Sequence, residues 1–202
     1  MKAELRADGL HISGYVNVPG RQSRPVMTKR GKVIEVIEQR AFQKAIDSAT
    51  NGVRMLLDHN PDRVLASTPD KSLNVFEDEI GLRAEALVTD QEVIEGAKAG
   101  KLRGWSFNMR NIVDSVEERA GELPLRHVQS FDMDEITLVM HRMPCYSATS
   151  IEIRADVEED VEERASAGEI RVIIPEDKPE DPMETYRKRL SNLKKEGKKD
   201  GN

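Results

Sequence analysis

Short segments in which apolar and polar residues alternate recur along most of the chain, and each ends at glycine, proline, asparagine or aspartate. A period of two places the apolar side chains on one face of a β-strand, and the breaks are typical of turns. Two segments among them have the three- and four-residue spacing of an amphipathic helix. The sequence therefore predicts a mainly β fold with a few helices (α+β), arranged as a barrel or a closed sandwich.

The alternation defines the predicted elements. The strands are expected at 4–18 (broken at Gly9 and Gly14), 33–37, 53–57, 63–67, 72–77, 82–89, 102–113, 125–139 and 150–154. The helices are expected at 39–49 and 91–99, and Gly100 is expected to end the second one in a left-handed conformation. Residues 19–32, which contain two prolines and several basic residues, are predicted to form a surface loop.

The composition changes after Arg154. The segment that follows is strongly acidic and poor in large apolar residues, and prolines come after it, so it is predicted to be a linker. The apolar spacing over 182–195 predicts a terminal amphipathic helix. We therefore expect a folded domain at 1–154 and a charged, largely disordered tail at 155–202.

The charge balance limits the kinds of partner. The chain has 31 Lys+Arg against 37 Asp+Glu and a net charge of -6, which gives no reason to expect binding to nucleic acid. It has no apolar run of the roughly 18 residues that a membrane helix requires and no secretory signal, and its single cysteine, Cys145, cannot close an internal disulfide. We expect a soluble, cytosolic protein with no membrane partner.

Three side chains are candidates for acid–base and nucleophilic chemistry. Ser106 lies between Trp105 and Phe107 in a predicted strand, His59 lies where an apolar strand ends, and Glu135 opens another strand. A turn histidine, a serine bonded to backbone and a solvent-exposed glutamate would explain each residue separately, so the residues alone leave both interpretations open.

Other site chemistries have weaker support. The four histidines lack the spacing of metal ligands, and no glycine-rich phosphate loop occurs, so no metal or cofactor is expected. Gly104 and Ser106 resemble half of a G-x-S-x-G elbow, but Asn108 occupies the second glycine position, which excludes the α/β-hydrolase interpretation. Cys145, four residues after His141, is an alternative nucleophile for a cysteine hydrolase.

Several segments in order resemble one known family. ISGYVNV, VIEVIEQRAFQKAI, LLDHN, AGKLRGWSFNM and MDEITLVMHRMPCYSAT follow the running order of the tailed-phage prohead proteases. These serine proteases of capsid maturation are similar to the herpesvirus assemblins. The resemblance covers about residues 10–154.

The resemblance implies a set of site residues. It assigns Ser106 as the nucleophile, His59 as the general base and Glu135 as the group that orients the histidine. Arg142, beyond the end of the last of these strands, is expected to contribute to the oxyanion site. The sequence departs from the family pattern at 39–40, where Gln-Arg replaces Pro-Gly, and at Asn108, where many relatives have glycine.

The resemblance also implies a fold, substrates and a location. We expect a single closed β-barrel flanked by helices, often paired into homodimers, that acts in the host cytoplasm inside the assembling prohead. Its substrates would be the scaffold and the major capsid protein, with self-cleavage in addition. The alternative is a non-catalytic capsid-assembly or scaffolding module of the same fold, in which Ser106 and His59 are only structural.

Overall fold

The computed structural model describes residues 1–141, 162–166 and 169–175. These residues form thirteen strands and two helices, which confirms the mainly β, α+β fold class. The strands are β1 (Lys2–Arg6), β2 (Gly9–Asn17), β3 (Val26–Thr28), β4 (Gly31–Ile37), β5 (Arg54–Leu57), β6 (Asn60–Ser67), β7 (Leu73–Glu77), β8 (Leu82–Val88), β9 (Gly104–Glu117), β10 (Leu125–Asp132), β11 (Glu135–Val139), β12 (Glu162–Ser166) and β13 (Arg171–Ile173). The helices are α1 (Ala41–Ser48) and α2 (Gln91–Lys98).

The strands are divided between two sheets. One has the order β13-β1-β2-β8-β7. The other follows β3-β4-β10-β9-β11-β5-β6, with β12 paired to β9 outside that path. The registers of β10 and β11 place these two strands one after the other along one edge of β9, and β12 lies along the opposite edge. The 14-residue strand β9 is therefore the central element of the larger sheet.

The prediction of a single closed β-barrel is not supported. A sheet closes into a barrel only when its two end strands pair with each other. Among the described strands, the first sheet ends at β13 and β7 and the second path ends at β3 and β6, with no pairing between those ends. The sequence prediction rested on the number of strands, and that number does not distinguish a closed sheet from two open sheets that share a core.

The tail predicted after residue 154 contains two paired strands, one of them in the acidic run predicted to be a linker. β12 pairs antiparallel with β9, and β13 pairs parallel with β1. The linker prediction is wrong for β12, because main-chain pairing to an existing sheet edge does not require large apolar side chains. β13 lies beyond the acidic run, and its Val172 packs against the apolar core. The division of the chain at residue 154 stays a prediction, and the strand expected at 150–154 and the helix expected at 182–195 lie outside the described residues.

The predicted helices are present within one or two residues of their expected ends. Asp90 caps α2 through its side chain, which accepts a hydrogen bond from the Val93 backbone, and Gly100 follows with the expected positive φ of 66°. No described residue of α1 supplies a side-chain cap. Instead Glu77 on β7 accepts hydrogen bonds from the Arg40 and Gln43 backbone nitrogens at 2.7 and 2.8 Å, so a residue distant in sequence satisfies the start of this helix.

One apolar core lies between the two sheets and the helices, and a group of three aromatic rings lies within it. Phe42 of α1 contacts Phe107 of β9 and Phe131 of β10 edge-on, with ring centroids 5.1 and 5.3 Å apart. Edge-to-face pairs of this kind stabilise a core beyond the area they bury. The contact holds α1 against β9 next to Ser106.

This packing generates a stability prediction. Phe42→Ala is expected to lower the free energy of unfolding by about 3–5 kcal/mol, because the ring is fully buried and its removal leaves a cavity beside Phe107 and Phe131. Urea unfolding followed by circular dichroism measures the change. Val113→Ala, at a valine that is 53% exposed, is the control and is expected to stay within about 0.5 kcal/mol of the wild type. An equal effect of the two substitutions would contradict the assignment of Phe42 to the core.

Candidate active site

Strand β9 presents Ser106 on the face opposite the core. Trp105, Phe107 and Met109 belong to the apolar core, so the alternation of the strand directs Ser106 and Asn108 the other way. Both polar residues are nevertheless buried, and Ser106 is only 2% exposed. A buried hydroxyl needs a hydrogen-bond partner, and the neighbouring elements provide one.

His59 lies in the turn between β5 and β6. The turn residues Asp58 and His59 both have positive φ, 51° and 58°, a conformation that aspartate and histidine tolerate better than most side chains. The chain therefore reverses directly after β5, and the His59 side chain, 8% exposed, lies next to β11 and β9. The prediction that this histidine lies at the end of a strand is confirmed.

Glu135 and Thr137 lie on the same face of β11, as the alternation predicted. Thr137 is directly opposite Ser106 in the antiparallel ladder, and directly opposite residues project to the same side. Ile136 and Leu138, on the other face of β11, belong to the core. The apolar residues of β11 thus determine that Glu135 and Thr137 share a face with Ser106.

The structure places the three candidate side chains in one hydrogen-bonded chain. His59 Nδ1 lies 2.5 Å from Glu135 Oε1, and His59 Nε2 lies 2.7 Å from Ser106 Oγ. An ionised carboxylate can only accept, so a neutral imidazole beside it has its proton on Nδ1 and an accepting lone pair on Nε2. Thr137 Oγ1 is 3.3 Å from the same Nδ1. The arrangement can transfer a proton from the serine hydroxyl to the imidazole.

Asp58 connects the histidine turn to the end of β11. Its carboxylate accepts hydrogen bonds from the Met140 backbone nitrogen at 2.9 Å and from His141 Nδ1 at 2.8 Å. The Asp58 backbone nitrogen also donates to the Leu138 carbonyl at 3.0 Å. These contacts fix the residue that precedes His59 relative to the strand that contains Glu135.

A second polar cluster lies around Asp134, directly before Glu135. Asp134 accepts from Asn108 Nδ2 at 2.9 Å and from Arg110 at 2.8 and 2.9 Å, and it pairs with Arg54 at 3.3 Å. Burial acts to raise the pKa of Asp134, but the Asn108 hydrogen bond and the charges of Arg110 and Arg54 outweigh it and hold the pKa below its ordinary value. The cluster connects the start of β11 to β9, two residues beyond Ser106.

The backbone of β12 also contacts the serine. Ser106 Oγ donates to the Arg164 carbonyl oxygen at 2.8 Å. The single hydroxyl proton therefore has two acceptors within reach, the imidazole and this carbonyl. The sequence pattern does not indicate Arg164, because this residue lies in a segment whose acidic composition predicted a linker.

The remaining sequence predictions have different outcomes. Arg142 and Cys145 lie outside the described residues, so an oxyanion contribution and a cysteine nucleophile stay predictions. His141, the base of the cysteine alternative, is bonded to Asp58. Within the described ranges, no group of three or more histidine, cysteine, aspartate or glutamate side chains could hold a metal ion, and no helix is long and apolar enough to cross a membrane.

The Asp134 cluster generates a pH-dependent prediction. Because the folded-state pKa of Asp134 is lowered, its contribution to stability is present above the unfolded value, near 4, and is lost as the pH falls through the folded value. Asp134→Asn is expected to cost about 1 kcal/mol at pH 7, a figure that allows for solvent screening of this partly exposed site. The difference from the wild type should shrink as thermal unfolding is repeated at decreasing pH below 4. A difference that stays constant from pH 7 to pH 3 would contradict the assignment.

One comparison with known proteins identifies a family. A family model described as caudovirus prohead serine protease matches residues 1–164, which is most of the chain. No curated protein and no solved structure matches the chain. The matched region contains both members of the serine–histidine hydrogen bond, and the resemblance inferred from the sequence segments is confirmed. The chain belongs to the family of caudovirus prohead serine proteases.

Proposed function

We propose that the protein is a serine endopeptidase that uses Ser106 as nucleophile, His59 as general base and Glu135 as the residue that orients the imidazole. The observation that supports this most strongly is the continuous hydrogen-bonded chain from Ser106 Oγ through both ring nitrogens of His59 to Glu135. Family membership supports peptide hydrolysis over the alternative of a non-catalytic assembly module.

Each residue has a defined task in the proposed acyl transfer. His59 Nε2 accepts the hydroxyl proton while Ser106 Oγ attacks the peptide carbonyl carbon, and the imidazolium then protonates the departing amine. Water hydrolyses the acyl-enzyme by the same proton transfers in reverse order. Glu135 holds the Nδ1–H tautomer and stabilises the imidazolium. Arg142 remains the proposed contributor to the oxyanion site.

The proposed substrates are the scaffold and the major capsid protein of the phage. The family's role in prohead maturation supports capsid proteins as the substrate class. We further propose that the enzyme acts inside the assembling prohead in the host cytoplasm, that it cleaves itself, and that it pairs into homodimers, as the resemblance to assemblins implies.

Substitution of the three proposed catalytic residues tests the mechanism. Ser106→Ala and His59→Ala are expected to slow peptide hydrolysis by roughly 10³-fold or more, because each removes a group that the chemical step requires. Glu135→Gln should cost somewhat less, because the serine–histidine pair remains, although the Nδ1–H tautomer of His59 loses its carboxylate acceptor. Steady-state hydrolysis of a capsid-derived peptide measures all three, and circular dichroism verifies that each variant is folded.

The control is a serine on the same strand. A serine-directed phosphonate is expected to label the wild type and Ser115→Ala equally, because Ser115 is exposed on β9 at a distance from His59, and it should not label Ser106→Ala. Labelling that persists in Ser106→Ala would contradict the proposed nucleophile. Full turnover in that variant together with sensitivity to iodoacetamide would instead support Cys145.

Co-expression tests the proposed substrates. The wild type is expected to shorten the neighbouring major capsid protein and scaffold, and Ser106→Ala is expected to leave them at full length. Mass spectrometry of the purified particles identifies the new termini. Shortened products that form equally in both strains would assign the cleavage to host proteases and contradict the proposal.

A further inference from the structure

Strand β12 lies directly beside the serine on the edge of β9 that β10 and β11 do not use. It runs antiparallel to β9, with Arg164 opposite Phe107 and Ala165 opposite Ser106. An extended peptide that adds to a sheet edge is bound by main-chain hydrogen bonds, which any sequence can form, and is selected by pockets for its side chains. This edge of β9 therefore has the geometry of a peptide-binding edge, and β12 occupies it.

The contact at Ser106 places one particular peptide group next to the nucleophile. Ser106 Oγ lies 2.8 Å from the carbonyl oxygen of Arg164 and 2.7 Å from His59 Nε2. A reacting hydroxyl must lie between a base that takes its proton and the carbonyl group that it attacks. Among the peptide groups of β12, it is that of Arg164 whose carbonyl accepts from the serine.

The Arg164 side chain is held in a buried acidic site. Residues directly opposite each other in a ladder project to the same face, so Arg164 projects with Phe107 and away from the Ser106 hydroxyl. Its guanidinium donates to both carboxylate oxygens of Glu35, each at 2.9 Å, and it also pairs with Glu162. Arg164 is 6% exposed and Glu35 is 3% exposed. A two-pronged contact of this geometry suits the planar guanidinium and not the single ammonium of lysine.

Glu35 also has a partner within the sheet, and that partner contacts β12 as well. It lies on β4, and Arg126 of the adjacent strand β10 also donates to it, at 3.1 Å. Asp114 on β9 accepts from Arg126 in turn, at 2.5 Å. Glu35 thus has a buried partner on β10 in addition to Arg164, and Arg126 also donates to Glu162 of β12, at 2.6 Å.

These contacts together indicate which peptide residue the edge of β9 would select. We propose that β12 is bound as a substrate strand, that Arg164 is the residue on the acyl side of the scissile bond, and that Glu35 makes the enzyme selective for arginine at that position. This rests on the proposed function of Ser106 as nucleophile. The bond cleaved in this chain is Arg164–Ala165.

Ser106, His59, the Arg164–Ala165 peptide bond and water account for every bond and proton in the cleavage step. Ser106 Oγ bonds to the Arg164 carbonyl carbon and its proton passes to His59, after which the carbon–nitrogen bond to Ala165 breaks and the imidazolium protonates the new amine. Water then displaces the Ser106 ester, with the proton returned to the serine. The products are a chain that ends at Arg164 and a C-terminal peptide that begins at Ala165.

Intact-mass spectrometry of the purified full-length chain tests the proposal. The wild type is expected to yield a product of residues 1–164, and Ser106→Ala is expected to stay intact. Arg164→Gln should slow the cut by about 100-fold, because it leaves a charge-selective buried site without its cation. The cleavage rate of Arg164→Lys should lie between those of the wild type and Arg164→Gln. Arg171→Gln, at an exposed arginine on β13, is the matched control and should be cut at the wild-type rate.

Glu35 is tested through its coupling to Arg164. In a Glu35→Gln background the additional effect of Arg164→Gln is expected to shrink to less than about tenfold, because the two side chains act through the same contact. A purely structural ion pair would alter unfolding without changing the position or selectivity of cleavage. Circular dichroism and unfolding curves of the Arg164 series separate folding defects from the cleavage rate.

The remaining outcomes overturn one proposal or both. A chain that stays intact while the phosphonate still labels Ser106 overturns the assignment of β12 as substrate and leaves the serine nucleophile in place. Cleavage at another bond, at a rate that Arg164→Gln does not change, would also overturn the assignment of β12 as substrate and leave the nucleophile in place. A product ending at Arg164 that also forms from Ser106→Ala assigns the cut to another protease. A chain that is neither cut nor labelled overturns the proposed function as well.

Discussion

The packing of β9 against the core is the constraint on which the site depends. Trp105, Phe107 and Met109 are held in the core, and the period of two along a strand then leaves Ser106 only the opposite face. The same alternation on β11 buries Ile136 and Leu138 in the core, so the polar residues of both strands lie side by side on the other face of the sheet. Hydrophobic burial, which lacks any chemistry of its own, thereby positions the groups that can react.

The polar face that results is buried, and each group on it requires a partner. A hydroxyl or carboxylate removed from water costs several kcal/mol unless it is hydrogen-bonded. His59 meets this requirement for both Ser106 and Glu135, while Asp58 fixes the histidine turn to the end of β11. Much of the polarity around the serine is therefore structurally necessary as well as available for acyl transfer.

Strand β12 adds a second set of contacts to the sheet that contains Ser106. In the core-facing direction Arg164 completes a buried ion pair with Glu35, and in the plane of the sheet its carbonyl group accepts from the serine. Buried ion pairs contribute little net stability because desolvation offsets their attraction. The proposed selectivity for arginine beside the proposed nucleophile would give this ion pair a use other than net stability.

The sequence by itself determined the fold class and most strand and helix positions, because alternation and helical spacing are local properties that burial imposes on neighbouring residues. It indicated Ser106, His59 and Glu135 as site residues through the family resemblance, and their catalytic roles stay a proposal. It did not determine that the sheets stay open, since closure depends on which distant edges pair. It also did not determine the roles of Asp58, Asp134 and Arg164. Asp58 and Asp134 acquire partners only when separate strands become adjacent. Arg164 lies in an acidic segment whose composition indicates a linker, and its position is determined only by the pairing of β12 with β9.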